Sequence, residues 1–278
     1  MKDIKTFIIE RKVVNFGNAK SNYGQCVILV GGSGSGKGFI KNTKILGQFK
    51  SVDVDEMKKM YIKLQKAGKI DDKYNYDLSK EEDTFKLHMS VKNRGWKDKQ
   101  RKYFWDQRNT DTKILPNILW DITGDNPKYI LDIIKYAKPA GYNITLVWVC
   151  CNVETAKEGN RSRDRRVSEQ VLIEKHKDVY KSITDILLNK YPIITEGIDN
   201  AWIALSAGYK RILSDKFKKD EVLKVKKDEE NKFVFDKEFV DEFLKEQMPL
   251  DPDWNNKQEA EKTRKSKLIS KKLNESFE

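Results

Sequence analysis

Residues 26–44 read CVILVGGSGSGKGFIKNTK, and this stretch constrains the fold more than any other part of the sequence. The run from Gln25 to Val30 is almost entirely apolar, which predicts a buried strand of a parallel sheet. A glycine-rich segment follows, and the sequence from Lys37 to about Gly47 is compatible with a helix. A strand, a tight loop and a helix in this order are typical of an α/β fold.

The glycine-rich segment matches the G-x-x-x-x-G-K pattern of the phosphate-binding P-loop. Backbone N–H groups in such a loop can point at a phosphate, and the following helix N-terminus adds partial positive charge. Lys37 supplies a mobile full charge for the outer phosphates. The residues predicted to bind the nucleotide are Gly31, Gly32, Ser33, Gly34, Ser35, Gly36, Lys37 and Gly38.

The loop departs from the usual pattern directly after the lysine. Gly38 replaces the Ser or Thr whose hydroxyl usually contacts Mg²⁺. The segment GGSGSGKGF resembles the loop of adenylate-kinase-type nucleoside monophosphate kinases, in which the hydroxyl comes one residue later, but that residue is Phe39 here. We therefore expect Mg²⁺ to be held by water, by the nucleotide phosphates and by a carboxylate such as Asp55.

Strand-like and helix-like segments alternate downstream of the loop. The segments that predict strands are FKSVDVD (49–55), PNILWDIT (116–123), NITLVWVCC (143–151), YPIIT (191–195) and NAWIALS (200–206). A helix is predicted directly after PNILWDIT, because Asn126 can cap this helix and Pro127 suits its first position. The alternation predicts a P-loop NTPase-type three-layer α/β sandwich with a mainly parallel sheet.

Composition divides the chain into three parts. Residues 1–24 are a lead-in with one short strand candidate, Thr6–Ile9. Residues 25–215 form the α/β domain, with a polar helical insert or lid at 56–112. Residues 216–278 are highly charged, and we expect a mainly helical or partly disordered C-terminal extension.

The charge of the chain favours an anionic partner. The net charge is +12, and the excess of basic residues lies in residues 1–216, so this part would attract phosphate, nucleotides or nucleic acid. There is no apolar run of 18 residues, which excludes a membrane-spanning helix. Three cysteines without metal-ligand spacing, and no secretory signal pattern, predict a cytoplasmic protein with buried thiols.

Carboxylates follow two of the predicted strands. Asp53 and Asp55 end the second strand on the same side, 16 and 18 residues after Lys37, where a carboxylate can orient an attacking hydroxyl. Asp55 could instead cap the next helix. Asp121 closes the third strand and could assist Mg²⁺ or the acceptor, with Thr123 and Asp125 at the same edge, although Asp125 could be a helix cap.

An arginine cluster lies in the segment EGNRSRDRRVSEQV (158–171). Phosphoryl transfer needs cations on the outer phosphate oxygens, and the planar guanidinium group of arginine suits them. The four arginines are Arg161, Arg163, Arg165 and Arg166. We expect the cluster to cover the phosphates, whereas any single member could be a solvated surface residue.

The order of these motifs resembles that of the zeta-toxin-type kinases. It consists of the P-loop, VDVDEMKKMY (52–61), a long insert, DITGD (121–125), AGYNITLVWV (140–149) and the arginines running into RRVSEQV (165–171). The resemblance spans roughly residues 25–190 and is loose outside the P-loop. It implies ATP- and Mg²⁺-dependent phosphorylation of a hydroxyl on a sugar nucleotide.

The resemblance also implies roles for single residues. It implies that the base is Asp55, that the P-loop lysine is Lys37, and that the phosphate-binding arginines are Arg161 or Arg163 together with Arg166. This sequence departs from the family at Gly38, and again at Met57-Lys58, where the family usually has Phe-Arg.

The segment VKNRGWKDKQRKYFWDQRN (91–109) interleaves aromatic and basic residues. Its aromatic residues, Trp96, Tyr103, Phe104 and Trp105, could stack on bases while the cations pair with phosphates. Equally, they could be the apolar face of a lid helix that packs on the sheet. Neither His88 nor His176 belongs to a recognisable set of metal ligands in the sequence. We expect His176 to lie on the surface of a helix.

These observations favour an ATP·Mg²⁺-dependent kinase. We expect Lys37, Asp55, Arg161 and Arg166 to be catalytic, Asp53, Asp121 and Thr123 to contact the acceptor, and Asp55 and Asp121 to assist the metal. One alternative is a nucleoside-phosphate or polynucleotide kinase, which would also bind nucleic acid. Another is a non-catalytic nucleotide- or nucleic-acid-binding protein, which Gly38 and Phe39 would suit.

Overall fold

A computed structural model describes residues 24–45, 49–78, 80–96, 99, 116–163, 167–208, 211, 213–217, 221–246 and 248. The strands in this part of the chain are β1 (Gln25–Val30), β2 (Lys50–Asp53), β3 (Ile118–Ile122), β4 (Asn143–Cys151), β5 (Asn200–Ser206), β6 (Val222–Lys227) and β7 (Phe233–Val234). The strand candidate at residues 6–9 lies outside the described residues.

The helices of the described residues are α1 (Lys37–Thr43), α2 (Val54–Lys66), α3 (Glu81–Asn93), α4 (Pro127–Ala137), α5 (Val153–Arg161), α6 (Glu169–Leu187), α7 (Pro192–Gly197) and α8 (Lys237–Lys245). Helix α4 begins as predicted, since the Asn126 side chain accepts a hydrogen bond from the Lys128 N–H and Pro127 is its first residue. Helix α1 ends at Thr43, four residues before the predicted end.

Among the described residues the strands form one sheet in the order β2-β3-β1-β4-β5-β6-β7. The first five are parallel, β6 is antiparallel to β5, and β7 is antiparallel to β6. Strand β1 lies between β3 and β4, so the residue after Val30 leaves the sheet at its centre. The carboxyl ends of parallel strands next to such a crossover form the ligand crevice of α/β proteins.

The sheet separates two apolar layers. On one face, Ile40 of α1 packs with Val27, Leu29 and Val149. On the other face, α4, α6 and α8 cover the alternate side chains of the strands, among them Ile28 and Leu146. Helices on both faces of a mainly parallel sheet confirm the predicted fold class, because a parallel sheet must be buried on both sides.

Two segments differ from the sequence prediction. YPIIT was predicted as a strand, which is wrong, because Pro192 begins the short helix α7 and Ile194 is buried within it. Residues 222–234 were expected in a mainly helical extension, whereas β6 and β7 continue the sheet and α8 follows them. Phe217, Phe233 and Phe243 belong to the same core as β1 and β4.

In the described part of the chain, every helix is too short or too polar to cross a lipid bilayer.

Candidate active site

The glycine loop is closed by backbone hydrogen bonds at the carboxyl end of β1. The Gly31 N–H donates to the Thr123 carbonyl oxygen at 3.0 Å, and the Ser35 N–H donates to the Gly32 carbonyl oxygen at 3.3 Å. Gly36 precedes α1 with φ 91°, a left-handed conformation that favours glycine. The N–H groups of the first turn of α1 have no carbonyl partner within the helix, so they can donate to an anion.

Lys37 folds back over this loop. Its Nζ donates to the Gly31 carbonyl oxygen at 2.6 Å and lies 3.4 Å from the Gly32 carbonyl oxygen and 3.9 Å from Asp121 Oδ1. Burial lowers the pKa of Lys37, and the charge of Asp121 opposes that shift. The ammonium group therefore lies at the mouth of the loop, beside the end of β3.

Asp121 is the most buried carboxylate at this edge. In the sheet register it lies between Leu29 of β1 and Asp53 of β2, and its side chain is 15% exposed. Burial raises the pKa of Asp121 to about 6, although the nearby Lys37 ammonium acts in the opposite direction. The site thus holds a carboxyl group whose pKa lies above the ordinary value for aspartate.

Asp53 and Asp55 do not both end the strand as predicted. Strand β2 ends at Asp53, which caps α2, and Asp53 Oδ1 accepts a hydrogen bond of 2.8 Å from the Asp55 N–H. Asp55 therefore lies in the first turn of α2 and is not the cap. Asp53 lies beside Asp121 in the sheet register, Asp55 follows two residues later, and Lys37 Nζ is 3.9 Å from Asp121 Oδ1, so the four charges lie at one end of the sheet.

The side chains behind Asp53 and Asp55 are cationic. Lys41 Nζ lies 3.8 Å from Asp53 Oδ2, and it donates to Ser51 Oγ at 2.9 Å. Lys58 Nζ lies 3.7 Å from Asp55 Oδ1, and the Lys58 side chain is only 6% exposed, whereas that of Asp55 is 51% exposed.

The glycine loop is held between α5 and α6. A Cβ atom on Gly34 would lie 2.0 Å from the Ala156 carbonyl oxygen, and one on Gly159 would lie 2.6 Å from the Gly34 carbonyl oxygen. On the other side, His176 Nε2 lies 2.9 Å from the Ser33 carbonyl oxygen. The prediction that His176 is a surface residue is wrong, because its imidazole packs against the loop and burial lowers its pKa.

The structure distinguishes two of the four arginines. Arg161 ends α5, is exposed and pairs with Glu169 at the start of α6. Arg163 follows in the connection between the two helices, and its positive charge lowers the pKa of Lys37. Arg165 and Arg166 lie outside the described residues, so the role expected of Arg166 stays a prediction.

The insert packs through hydrogen-bonded tyrosines. Tyr61 of α2 and Tyr76 each donate a 2.6 Å hydrogen bond to Asp72 Oδ2, and the Trp96 ring centroid lies 5.6 Å from that of Tyr61. Trp96 is thus a packing residue of the insert. The other aromatic residues of the 91–109 segment, Tyr103, Phe104 and Trp105, lie outside the described residues.

This arrangement suits a chain of phosphates with a cation. The loop and the α1 N-terminus offer N–H donors, Lys37 offers a full charge, and Asp121 and Asp55 offer the oxygen ligands that Mg²⁺ prefers. Mg²⁺ usually keeps several waters and takes only one or two carboxylates besides the phosphates. Gly38 contributes no ligand, and a Cβ atom there would meet nothing within 4 Å.

Sequence reasoning missed two neighbours of this site. His176 meets Ser33 across 143 residues of sequence, so no local pattern could connect them. Lys58 could have been found, because it lies three residues after Asp55 and such pairs meet on one face of a helix.

Among known proteins, no family model and no curated protein matches this chain. The chain is similar to the solved AvrRxo1-ORF1:AvrRxo1-ORF2 complex with sulphate ions, with a TM-score of 0.54 and 16% identity. That match covers 80% of this chain and 64% of the other, so the chain spans less than two thirds of the length of that protein.

Two further solved structures have lower TM-scores. One is from the PezAT chromosomal toxin–antitoxin system of Streptococcus pneumoniae, with a TM-score of 0.47, 14% identity, and coverage of 92% and 91% of the two chains. The other is deoxyadenosine kinase from M. mycoides, with a TM-score of 0.28, 18% identity, and coverage of 60% and 85%. At such identities the likeness to solved structures shows the fold alone.

Proposed function

We propose that this protein is an ATP-dependent phosphotransferase of the P-loop kinase type, and that its acceptor is a hydroxyl group of a nucleotide-type molecule such as a sugar nucleotide. The observation that carries the proposal is the position of Lys37 Nζ, 3.9 Å from Asp121 Oδ1 at the mouth of the glycine loop, with the charges of Asp53 and Asp55 at the same end of the sheet.

In the proposed reaction, the acceptor oxygen forms a bond to the γ-phosphorus while the bond from that phosphorus to the β–γ bridging oxygen breaks. Lys37 and the loop N–H groups hold the β- and γ-phosphates, and Asp55 accepts the proton of the acceptor hydroxyl. Asp55 suits this role because its side chain is half-exposed and its Oδ1 lies 3.7 Å from Nζ of the buried Lys58.

The arginines and carboxylates complete the proposed site. Arg163 lies where its charge already acts on Lys37, so we assign it to the moving phosphoryl group, together with Arg166 of the predicted cluster. Arg161 is paired with Glu169, so an ATP phosphate would have to displace the Glu169 carboxylate in order to bind the Arg161 guanidinium group. Asp121 and Asp55 would hold Mg²⁺, which supplies charge neutralisation on the phosphates.

The acceptor class rests on the resemblance to zeta-toxin-type kinases, whereas the phosphate-binding part rests on geometry. The Thr123 backbone carbonyl holds the loop by accepting from the Gly31 N–H, and we assign the Thr123 side chain to the acceptor. The folded insert that carries Tyr61 and Tyr76 follows Asp55 along the chain, and we assign the selection of the acceptor to it.

The test is transfer of labelled γ-phosphate from ATP to a panel of sugar nucleotides, nucleoside phosphates and single-stranded oligonucleotides. We expect one class of acceptor to be labelled, and we expect Lys37→Ala and Asp55→Asn each to reduce labelling at least a hundredfold. Lys59→Ala and Asp132→Asn are matched controls, because Lys59 is an exposed residue of α2 and Asp132 lies in the middle of α4.

Two outcomes would replace this proposal. Labelling of oligonucleotides alone, with an affinity that falls steeply with salt, would indicate a polynucleotide kinase. Tight ATP binding that Lys37→Ala abolishes, with no labelled acceptor and no ATP consumption, would indicate a non-catalytic binding protein, which the missing hydroxyl at Gly38 and Phe39 favours.

A further inference from the structure

The imidazole of His176 lies against the outside of the glycine loop. His176 Nε2 is 2.9 Å from the Ser33 carbonyl oxygen. A carbonyl oxygen can only accept, so Nε2 must carry the proton and donate. Burial lowers the pKa of His176, the hydrogen bond to the Ser33 carbonyl acts in the opposite direction, and the Lys37 ammonium adds to the lowering, so burial favours the neutral ring.

The same imidazole explains why residue 32 is a glycine. A Cβ atom on Gly32 would lie 2.3 Å from His176 Nε2 and 2.4 Å from Cδ2. The φ angle of Gly32 is not positive, so the backbone itself would accept another residue. A side chain at this position would therefore have to displace the His176 imidazole.

A hydrogen bond to the Ser33 carbonyl fixes the direction of the next N–H group. The described peptide bonds are all trans, and in a planar trans peptide the C=O and N–H groups point in opposite directions. When His176 holds the Ser33 oxygen toward α6, the Gly34 N–H must point away from α6. On the far side of the loop, the Ala156 carbonyl oxygen leaves no room for any side chain on Gly34.

We infer that His176 is a positioning residue of the nucleotide site, which holds the Ser33–Gly34 peptide so that the Gly34 N–H faces the β-phosphate. The inference rests on the proposed function, since it requires the loop to bind a phosphate chain. Helix α6 thereby sets the loop geometry before any ligand arrives, and the loop need not reorganise on binding.

The test measures the affinities of ATP, ADP and AMP for His176→Leu and His176→Gln, because Gln can place an amide N–H close to the position of Nε2. We expect His176→Leu to weaken ATP and ADP binding about 3- to 10-fold, the range for one neutral hydrogen bond, with AMP unchanged because it lacks the β-phosphate. We expect His176→Gln to restore most of the loss. His88→Gln, at the other histidine of the chain, is the matched control.

A second variant reaches the same peptide without altering α6. Gly32→Ala should push the imidazole away and give the same selective loss for ATP and ADP, and it should add little in the His176→Ala background, where the obstacle is gone. Equal weakening of AMP, or unchanged ADP affinity in both His176→Leu and Gly32→Ala, would overturn the inference. If Lys37→Ala also leaves ATP binding unchanged, the proposed function itself fails, which separates the two failures.

Discussion

Among individual residues, Gly38 departs from the P-loop pattern, in which Ser or Thr follows the lysine. The structure has space at this position for a side chain with a hydroxyl group. Gly38 is exposed in the first turn of α1, and a Cβ atom there would meet nothing within 4 Å. Gly38→Thr would place a hydroxyl where P-loop proteins hold Mg²⁺. We expect it to lower the Mg²⁺ concentration needed for ATP binding about 3- to 10-fold, as measured by titrating Mg²⁺ at fixed ATP.

Two further glycine variants separate the hydroxyl from the side-chain carbon. Gly38→Ala adds a Cβ without an oxygen and should leave the Mg²⁺ requirement unchanged. Gly36→Ser adds a hydroxyl at φ 91°, where its Cβ would lie 2.8 Å from Ser206 Oγ, so it should lose stability and gain no affinity. Identical Mg²⁺ titrations for Gly38→Ala and Gly38→Thr would contradict the role of the hydroxyl.

At Asp121, the proposed function and the stability of the fold make opposite demands. Because burial raises its pKa to about 6, the folded protein binds more protons than the unfolded chain between about pH 4 and pH 6. Stability therefore falls as pH rises through this window, and the full penalty of up to about 3 kcal/mol is present above pH 6. Asp121→Asn keeps the neutral form at every pH and avoids this penalty.

We expect Asp121→Asn to unfold at a higher temperature than the wild type at pH 7.5, to match it near pH 4, and to lose phosphotransfer. Thermal unfolding across this pH range measures the first two, with Asp132→Asn as a control that should follow the wild type. A variant less stable than the wild type at pH 7.5 would show that the ionised carboxylate stabilises the fold through Lys37.

Local patterns identified candidate residues for the site, but they did not predict how each of these residues is placed on its strand or helix. The loop, Lys37 and Asp121 could be identified because each lies at a fixed offset from an apolar strand. The placement of Asp55 on the strand was wrong, because the Asp53 side chain caps α2 and ends the strand two residues earlier. The contact between His176 and Ser33 depends on how two distant segments pack, which a single sequence does not contain.

Among the elements, α5 and α6 decide the shape of the glycine loop. Gly159 lies inside α5, where alanine would ordinarily stabilise the helix by about 1 kcal/mol. Here its Cβ would lie 2.6 Å from the Gly34 carbonyl oxygen, so α5 and the loop would have to separate. We expect Gly159→Ala to weaken ATP binding about tenfold and to reduce the free energy of unfolding by about 1–3 kcal/mol, as overpacked sites do.

Calorimetric titration with ATP and urea unfolding measure these two effects. Gly68→Ala is the control, since its Cβ would meet nothing within 4 Å and only its positive φ is unfavourable. It should reduce stability by about 1–2 kcal/mol and leave ATP affinity unchanged. Unaltered ATP affinity in Gly159→Ala would show that α5 does not constrain the loop.

The element predictions failed where the local signal was short. YPIIT is rich in β-branched residues, which favours a strand. The segment nevertheless forms a helix of six residues with Pro192 at its first position, because the packing of the surrounding fold outweighs the local strand preference. The segment VLKVKK has three lysines in six residues, and its half-exposed position beside β5 allows that charge. The apolar and charged residues of VLKVKK partly alternate, which favours a strand. The high charge of residues 216–278 led to the prediction of a mainly helical or partly disordered segment instead.

For the whole molecule, the described C-terminal residues belong to the same core as the loop-bearing strands. Strand β6 pairs with β5, and Phe243 of α8 is fully buried with its ring centroid 5.4 Å from that of Phe217. Leu244 of α8 and His176 of α6 line one cavity of about 220 Å³, together with Gly32 of the loop. The tail therefore supports the helix layer that holds the glycine loop.

This arrangement predicts that a change far along the chain affects the entire fold. Phe243→Ala removes a fully buried ring and should reduce the free energy of unfolding by about 3–5 kcal/mol, in a single transition shared with the rest of the core. Urea unfolding followed by tryptophan fluorescence reports on this, because the buried Trp120 and Trp148 lie in the central strands. Val234→Ala, at a 62% exposed position of β7, should change stability by less than about 0.5 kcal/mol. A separate early transition for Phe243→Ala, with the tryptophan signal unchanged, would mean that residues 216–278 fold apart from the domain that carries the glycine loop.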